Sequence, residues 1–588
     1  PALPARAPQP PNLPTMVPAR SLPDQRRASL RAAGFAALLS LAAMLPFELE
    51  RPLLPLGPLV LTNVEVLLAA VLALALVAGP VTGGPRLPRL WLALALWFLG
   101  AALLAAALTP ESRTNALKAT LRTTEGLLLV VATLRLAPTM RHGRAVATAL
   151  SLGATAAVLL GLAEHIAGYD FPWLAVVRPM PTYAGPFLRL AGPFDYANQA
   201  AIYFEATLPL TFALTLDAAR AGRHARATAG GVAVLLQVQA TLFTFSRAGF
   251  VTLLLVCAGT AAWLLLARNR RSGRVWAGLT ALVAVVVVAN WLISPSFRLR
   301  LASDVDGEWY RATVVAPAEL TLAAAETRPI EITLTNDGAL TWQEGGSQPF
   351  VLAARWQTAD GGELSPPLQW ALPGPVAPSQ SVTLSVPLRA PNRGGTYRLI
   401  WDMRHEGVNW FDARGDAQTS SQVTVVGDVS GADAGSLVTT APLTFDAPLP
   451  GRSVLWAIAA RLIAERPLTG IGLDNYRLTY SRYLTDDPQP ETDLDRTVHS
   501  NNWYLETVVS VGIVGAAPFF LWLATLLWAI LVSLRRPAIT PLQIAAGAGL
   551  LAFVVHGLLD YFLLFNATAL LFWMLAALWL LFDSTPAE

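Results

Sequence analysis

Four short stretches of this chain set fixed positive charge, carboxamides and a titratable imidazole at the edges of apolar runs. The first, FLRLAGPFDYANQAAIYF, carries Arg189, Asp195, Asn198 and Gln199. The second is TFSRAG, with Arg247 in its turn. The third runs GRSVLWAIAARLIAERPLTGIGLDNYR and holds Arg452, Arg461 and, after Gly470 and Gly472, Tyr476 and Arg477. The fourth, HSNNWYLETVVSVGIVG, opens on His499. An arginine in or beside a membrane span is costly unless it faces a cavity or a partner, which makes each of these a functional candidate. A guanidinium stays charged and grips oxyanions with two parallel N–H bonds. An imidazole, with an unperturbed pKa of ~6.5, exchanges a proton near neutrality. Together at a membrane edge they suit transfer chemistry on a lipid-linked anion.

Each candidate has a structural competitor. Arg247 could be a snorkelling span-end arginine, although it breaks the charge pattern described below. Arg452 could pair with an acid of the outer segment, Arg189 with Asp195, and His499 could be an ordinary loop histidine. Asn198 and Gln199 suit backbone groups at a helix start. Tyr476 and Arg477 are candidates for the wall of an acceptor cleft. His556 and Asp560, four residues apart, could meet on one helix face. Asp486, Asp487, Glu491, Asp493 and Asp495 include a D-x-D, but Pro488 and Pro490 break the run, and a solvated acidic loop explains it better than a metal site.

The elements that must position these groups are membrane helices. With 588 residues, 54% hydrophobic and 14% charged, the chain is too apolar for a soluble protein. Apolar runs long enough to span a bilayer occur near 30–47, 58–79, 88–108, 117–137, 145–168, 196–217, 228–246, 248–267, 275–294, 503–533, 538–557 and 560–582, twelve in all. With the N-terminus inside, the cytoplasmic connections Arg86–Arg89, Arg135–Arg144, Arg220–Arg226, Arg268–Arg274 and Arg535–Pro537 are all basic, whereas the acids gather on the outer side. The net charge of +3 is therefore topological, and no nucleic-acid partner is expected. The single cysteine, Cys257, excludes an intrachain disulfide.

The expected organisation is a disordered cytoplasmic tail over 1–29, helices one to nine over 30–294, a linker over 295–315, a β-sandwich over 316–427, an outer catalytic loop with a short helix over 428–502, and helices ten to twelve with a short tail over 503–588. The tail has no convincing cleavage site, so an uncleaved start is expected. The sandwich rests on short alternating runs such as IEITLTN, SVTLSVPL and SQVTVV, separated by DG, DGG and PNRGG turns. Trp342, Trp356, Trp370, Trp401 and Trp410 supply its core. The segments TLTNDGALTWQ and GTYRLIWDMRHEGVNWF resemble Ig-like domains of the four-tryptophan type found in autophagy-receptor-like proteins. Its expected role is structural, the alternative being a platform for an acceptor or glycan.

The membrane part resembles the O-antigen ligase and polymerase superfamily. The resemblance rests on Gly192 to Ala201, Thr244 to Ala248, Arg452 to Gly472 with its R-x-x-x-W and P-L-x-G-x-G, and His499 to Gly515, in the family's order. It implies a polytopic α-helical glycosyltransferase of the GT-C type in the bacterial cytoplasmic membrane, metal-independent and without a cofactor. The implied donor is an undecaprenyl-diphosphate-linked glycan at the outer face, and the acceptor is a glycan, lipid or protein hydroxyl. Arg247 and Arg452 would hold the leaving diphosphate, Arg189 and Asn198 would contact substrate, and His499 would take the acceptor's proton, with inversion at the sugar. Ligase, polymerase and protein O-oligosaccharyltransferase remain open at this stage, as does the acceptor. A lipid-glycan flippase would need midplane charges and an internal repeat; neither is evident. A chain that only scaffolds polysaccharide assembly would not need both arginine motifs and the histidine.

Overall fold

The computed structural model describes residues 22–56, 59–79, 85–168, 171–178, 181–303, 308–345, 349–359, 361–406, 409–412, 416–429, 451–484, 498–536 and 538–584. Among the described residues nine long helices come first: α1 (Leu22–Met44), α2 (Asn63–Ala78), α3 (Arg89–Leu108), α4 (Arg113–Leu136), α5 (Met140–Ala167), α6 (Ala197–Arg220), α7 (His224–Phe243), α8 (Arg247–Leu266) and α9 (Arg270–Ile293). Two small hairpins interrupt them, β1 (Leu54–Leu56) with β2 (Leu59–Leu61) and β3 (Tyr183–Ala184) with β4 (Phe187–Leu188). After a short α10 (Pro295–Ala302) and a β region come α11 (Arg452–Glu465), α12 (Tyr476–Thr479), α13 (Trp503–Ser533), α14 (Pro541–His556) and α15 (Asn566–Ser584).

Each of the twelve apolar runs in the sequence coincides with one of the longer helices. Six of these, α3, α5, α8, α9, α13 and α15, are long and apolar enough to cross a membrane, and α2 and α14 are shorter apolar helices. The bundle is built around α15, whose residues from Leu570 to Phe582 are all buried. Large apolar side chains nevertheless cover its outside, among them Leu76, Trp97, Leu152, Leu266, Val285, Leu292 and Trp528. A helix bundle apolar both within and without has the make-up of a membrane protein.

Two boundaries differ from the sequence expectation. Helix α1 starts at Leu22, inside the stretch read as tail; residues 1–21 lie outside the described residues. The stretch read as a linker also holds α10 and the first strand of a sheet. Ser294 caps α10 through Phe297 N, and Pro295 occupies its first turn.

The β region forms two sheets. One has the order β10 (Ser381–Arg389), β7 (Thr327–Asn336), β5 (Ala312–Val315), all antiparallel. The other runs β6 (Glu319–Ala323), β13 (Thr419–Val426), β11 (Gly395–His405), β8 (Phe350–Thr358), β9 (Glu363–Ala371), with β12 (Asn409–Trp410) beside β11 and only β6 parallel to its neighbour. Alternate residues of both sheets, such as Ile332, Leu334, Val386, Leu352, Leu399 and Val423, meet in one core. Trp342, Trp356, Trp401 and Trp410 are buried, and Trp370 packs on Trp401 at 5.8 Å. Trp309, not singled out from the sequence, is as deeply buried as any of them, with Nε1 donating to Ser303 Oγ at 2.6 Å.

Candidate active site

The candidate segments meet at one end of the bundle, the end that carries the sheets. A broken helix builds the first half of the meeting place. Within α13, Gly512 has φ 56° and ψ −173°, so the helix is interrupted there. The segment Pro467–Gly472 fills the gap. Ile471 N and Gly472 N donate to Val509 O and Ser510 O at 2.9 Å, and Ile513 N donates to Pro467 O at 2.9 Å. Backbone groups freed by the break are thereby satisfied, as an apolar surrounding requires. Glycine is needed at the contact: a Cβ on Gly512 would stand 2.3 Å from the Leu468 carbonyl, and one on Gly470 would stand 2.4 Å from Val509 O.

This arrangement holds Asp474, at φ 62°, opposite the start of α13. His499 lies between the two, 3% exposed. Its Nδ1 is 3.1 Å from Glu506 Oε1, and the other Glu506 oxygen accepts from Ser500 N at 3.0 Å. Since a carboxylate only accepts, Nδ1 of the neutral ring carries the hydrogen and Nε2 keeps the lone pair. Nε2 has no hydrogen-bond partner among the described residues and faces Asp474 Oδ1 at 3.7 Å. Burial pulls the imidazole pKa down, but the Glu506 and Asp474 carboxylates outweigh it and leave the group above its ordinary value.

Arg477 clamps Asp474 from the other side. Its Nε and Nη2 donate to the two Asp474 oxygens at 2.8 Å each, and Nη2 reaches Asn115 Oδ1 at 3.0 Å. It also lines a cleft of about 300 Å³ with Glu48, Glu50, Arg122, Asp195 and Asn566. Burial, then Glu48 and Glu50, push the Asp195 carboxyl up to about 6. Tyr476 turns the other way: fully buried, it donates to Leu455 O at 2.8 Å and packs with Ile458 and Leu462 of α11.

The second half of the site is cationic. Arg189 donates through Nε to Thr244 O and through Nη2 to Asn198 Oδ1, both at 2.7 Å, and Asn198 Nδ2 donates to Asp560 Oδ2 at 3.0 Å. The competing pair of Arg189 with Asp195 is not formed; Asp195 instead donates its N–H to Gln199 Oε1 at 3.2 Å. Burial, then Arg300, bring the Arg189 pKa down to about 9, with Arg452 adding to the effect and Asp560 opposing it, so the group stays charged at neutral pH. Arg452, exposed at the start of α11, donates through Nε to Leu559 O at 2.9 Å. Arg247 begins α8 directly after the Ser246 cap, three residues beyond the carbonyl that holds Arg189.

One short segment after α14 joins the halves. Gly557 O accepts from Trp503 N at 2.7 Å, Leu558 O from Asn502 Nδ2 at 2.9 Å, Leu559 O from Arg452, and Asp560 from Asn198. The Tyr561 ring then lies 5.0 Å from that of His499. His556 does not meet Asp560 through its side chain; its Nδ1 is 3.0 Å from Glu205 Oε2, inside the bundle.

Sequence reasoning missed Glu506, Asp474, Asn115 and Tyr561 as parts of this site. Glu506 had a signal, since an acid in the first turn of an apolar span needs a partner. The others had none, because their role depends on segments hundreds of residues away. The acidic run from Asp486 to Asp495 lies outside the described residues. No known protein family, no curated protein and no solved structure matches this chain.

Proposed function

We propose that this chain is a membrane glycosyltransferase of the O-antigen ligase type, with twelve spans, an inserted Ig-like sandwich and an active site at the outer face of a bacterial cytoplasmic membrane. The observation that carries the reading is the meeting of a carboxylate-backed histidine and an arginine cluster around residues 557–561, at one end of an apolar bundle. The Arg-rich connections lie at the opposite end, where Arg144 pairs with Asp217 and Arg536 with Asp583, which agrees with that end being cytoplasmic.

In this reading the donor is a glycan on undecaprenyl diphosphate and the acceptor enters by the cleft that Arg477 lines. The acceptor oxygen attacks the anomeric carbon while His499 Nε2 takes its proton, with Glu506 holding Nδ1–H and stabilising the imidazolium. The bond from the anomeric carbon to the diphosphate oxygen breaks on the opposite face, so the sugar inverts. The leaving undecaprenyl diphosphate gains negative charge, which Arg189, Arg247 and Arg452 stabilise.

The test is glycan transfer by purified protein from an undecaprenyl-diphosphate oligosaccharide, with EDTA present, across lipid, glycan and protein acceptors. Release of undecaprenyl diphosphate with extension of one acceptor, lost in folded His499→Ala and Arg452→Ala, supports the reading and identifies the acceptor class. Passage of the intact lipid-linked glycan across a liposome bilayer without transfer would replace it with a transporter.

A further inference from the structure

The cleft of about 300 Å³ that Arg477 lines opens between the loop after α1, the turn into α6 and the start of α15. Three carboxylates belong to its wall: Glu48 and Glu50 from the loop and Asp195 from the turn. Glu48 is held by its Oε1, which accepts from Thr62 Oγ1 at 2.8 Å and from Asn566 Nδ2 at 2.6 Å, while its Oε2 has no hydrogen-bond partner among the described residues. Glu50 and Asp195 donate through their backbone N–H groups, to Val176 O at 2.9 Å and Gln199 Oε1 at 3.2 Å. Both of their carboxylates are left without a partner among the described residues. The two guanidinium groups of the wall face acids outside it: Arg122 lies 3.6 Å from Glu65 Oε1, and Arg477 grips Asp474 with two bonds.

Gln199 supplies the complementary group. Its side chain is in the same wall and only 3% exposed, and its Oε1 is taken by Asp195 N. That leaves the two Nε2 hydrogens with no partner among the described residues. A nearly buried carboxamide with idle donors, beside carboxylates with idle acceptors, suits a ligand whose groups both donate and accept. Hydroxyls do both. A metal ion would be another ligand for carboxylates, but no group of three His, Cys, Asp or Glu among the described residues is placed to hold one. Phe565 adds an apolar surface to the cleft, its ring set edge-on to Tyr196 at 5.2 Å, against which the C–H face of a sugar ring can lie.

We propose that this cleft is the acceptor subsite and takes an uncharged sugar residue, whose hydroxyls donate to Glu48, Glu50 and Asp195 and accept from Gln199. This rests on the transferase reading above and narrows its acceptor from a glycan, lipid or protein to a glycan. An anionic sugar is rejected, because three carboxylates would face its charge. The subsite joins the chemistry through Arg477, which lines the cleft and clamps Asp474, the carboxylate facing His499 Nε2 at 3.7 Å.

The experiment reads binding without transfer. The full chain in detergent is titrated by calorimetry with neutral trisaccharides of glucose, galactose, mannose and N-acetylglucosamine, with trigalacturonate, and with a Ser/Thr peptide; undecaprenyl diphosphate is titrated in parallel. Wild type is compared with Glu50→Gln, Glu50→Lys, Asp195→Asn and Arg452→Gln, each checked for an unchanged unfolding temperature. The expected result is that at least one neutral trisaccharide binds, while trigalacturonate and the peptide do not. Glu50→Gln and Asp195→Asn should each weaken that trisaccharide by about tenfold without changing undecaprenyl diphosphate binding. Glu50→Lys should let trigalacturonate bind. The proposal is overturned if no neutral trisaccharide binds wild type, if trigalacturonate or the peptide binds better, or if Glu50→Gln and Asp195→Asn both bind as wild type does. In each of those cases, undecaprenyl diphosphate bound by wild type and weakened in Arg452→Gln leaves the transferase reading standing. If wild type binds neither sugar nor undecaprenyl diphosphate, the two readings fall together.

Discussion

The histidine half and the arginine half of the site handle charge in opposite ways. Around His499 each charge has a counter-charge: Glu506 on one ring nitrogen, Asp474 facing the other, and Arg477 closing on Asp474 with two bonds. Around Arg189 the hydrogen bonds that orient Arg189 and Arg452 go instead to backbone carbonyls and an amide. A balanced, buried group has its proton affinity tuned by neighbours. A cation held by neutral groups at a half-open edge keeps its charge available for a ligand. The difference suggests a division of labour, with proton transfer on one side and anion binding on the other.

The largest effect should come from splitting the two functions. His499→Ala should lower the transfer rate by ~10²–10⁴-fold with donor binding unchanged, whereas Arg452→Ala should raise the donor KM. Steady-state kinetics with varied donor would show both; the reverse pattern would break the division. Next comes the break in α13. Gly512→Ala should cost about 2–4 kcal/mol of stability in thermal unfolding, since it adds both backbone strain and a clash with Leu468. If the halves are separate, the folded fraction of that variant should still bind pyrophosphate.

A smaller effect sharpens the histidine side. His499 must be neutral to accept a proton, so the rate should rise with pH through its raised pKa. Glu506→Gln removes the main group raising it, and the rising limb of the pH–rate profile should move to lower pH, with about a tenfold loss at the plateau. A limb that stays in place would mean that another group titrates. The smallest effect concerns the arginines. Asp560→Asn keeps the side-chain shape but deletes the carboxylate that offsets them, and pyrophosphate binding measured by calorimetry should tighten by about threefold to tenfold. Weakened binding would mean that Asp560 matters for orienting Asn198 and Arg189 more than for charge.

Much of this was legible in one dimension. Apolar runs gave the helices to within eight residues at each end, because a bundle apolar on both its faces needs continuous hydrophobic sequence. Alternation and turn residues marked β7, β8, β10, β11 and β13. Arg189, Arg452 and His499 stood out as charges at span edges, where each must find a partner or a purpose.

The partners themselves were not legible. Arg189 could be expected beside Asp195, six residues away, yet it bonds Thr244 and Asn198 and feels Arg300. Tyr476 and Arg477 are adjacent in sequence, but one is in the core of α11 and the other lines a cleft. Periodicity fixes which face of a helix is apolar, not which segment arrives at its end. The five residues from Gly557 to Tyr561 carry no charge pattern except Asp560, and the site is assembled on them because their carbonyls emerge where α14 ends. The sequence by itself determined helices, sheets and a set of charges in need of partners. Only the tertiary structure decided that a glycine break in α13 would set Asp474 opposite His499, because backbone can approach backbone that closely only where two distant glycines meet.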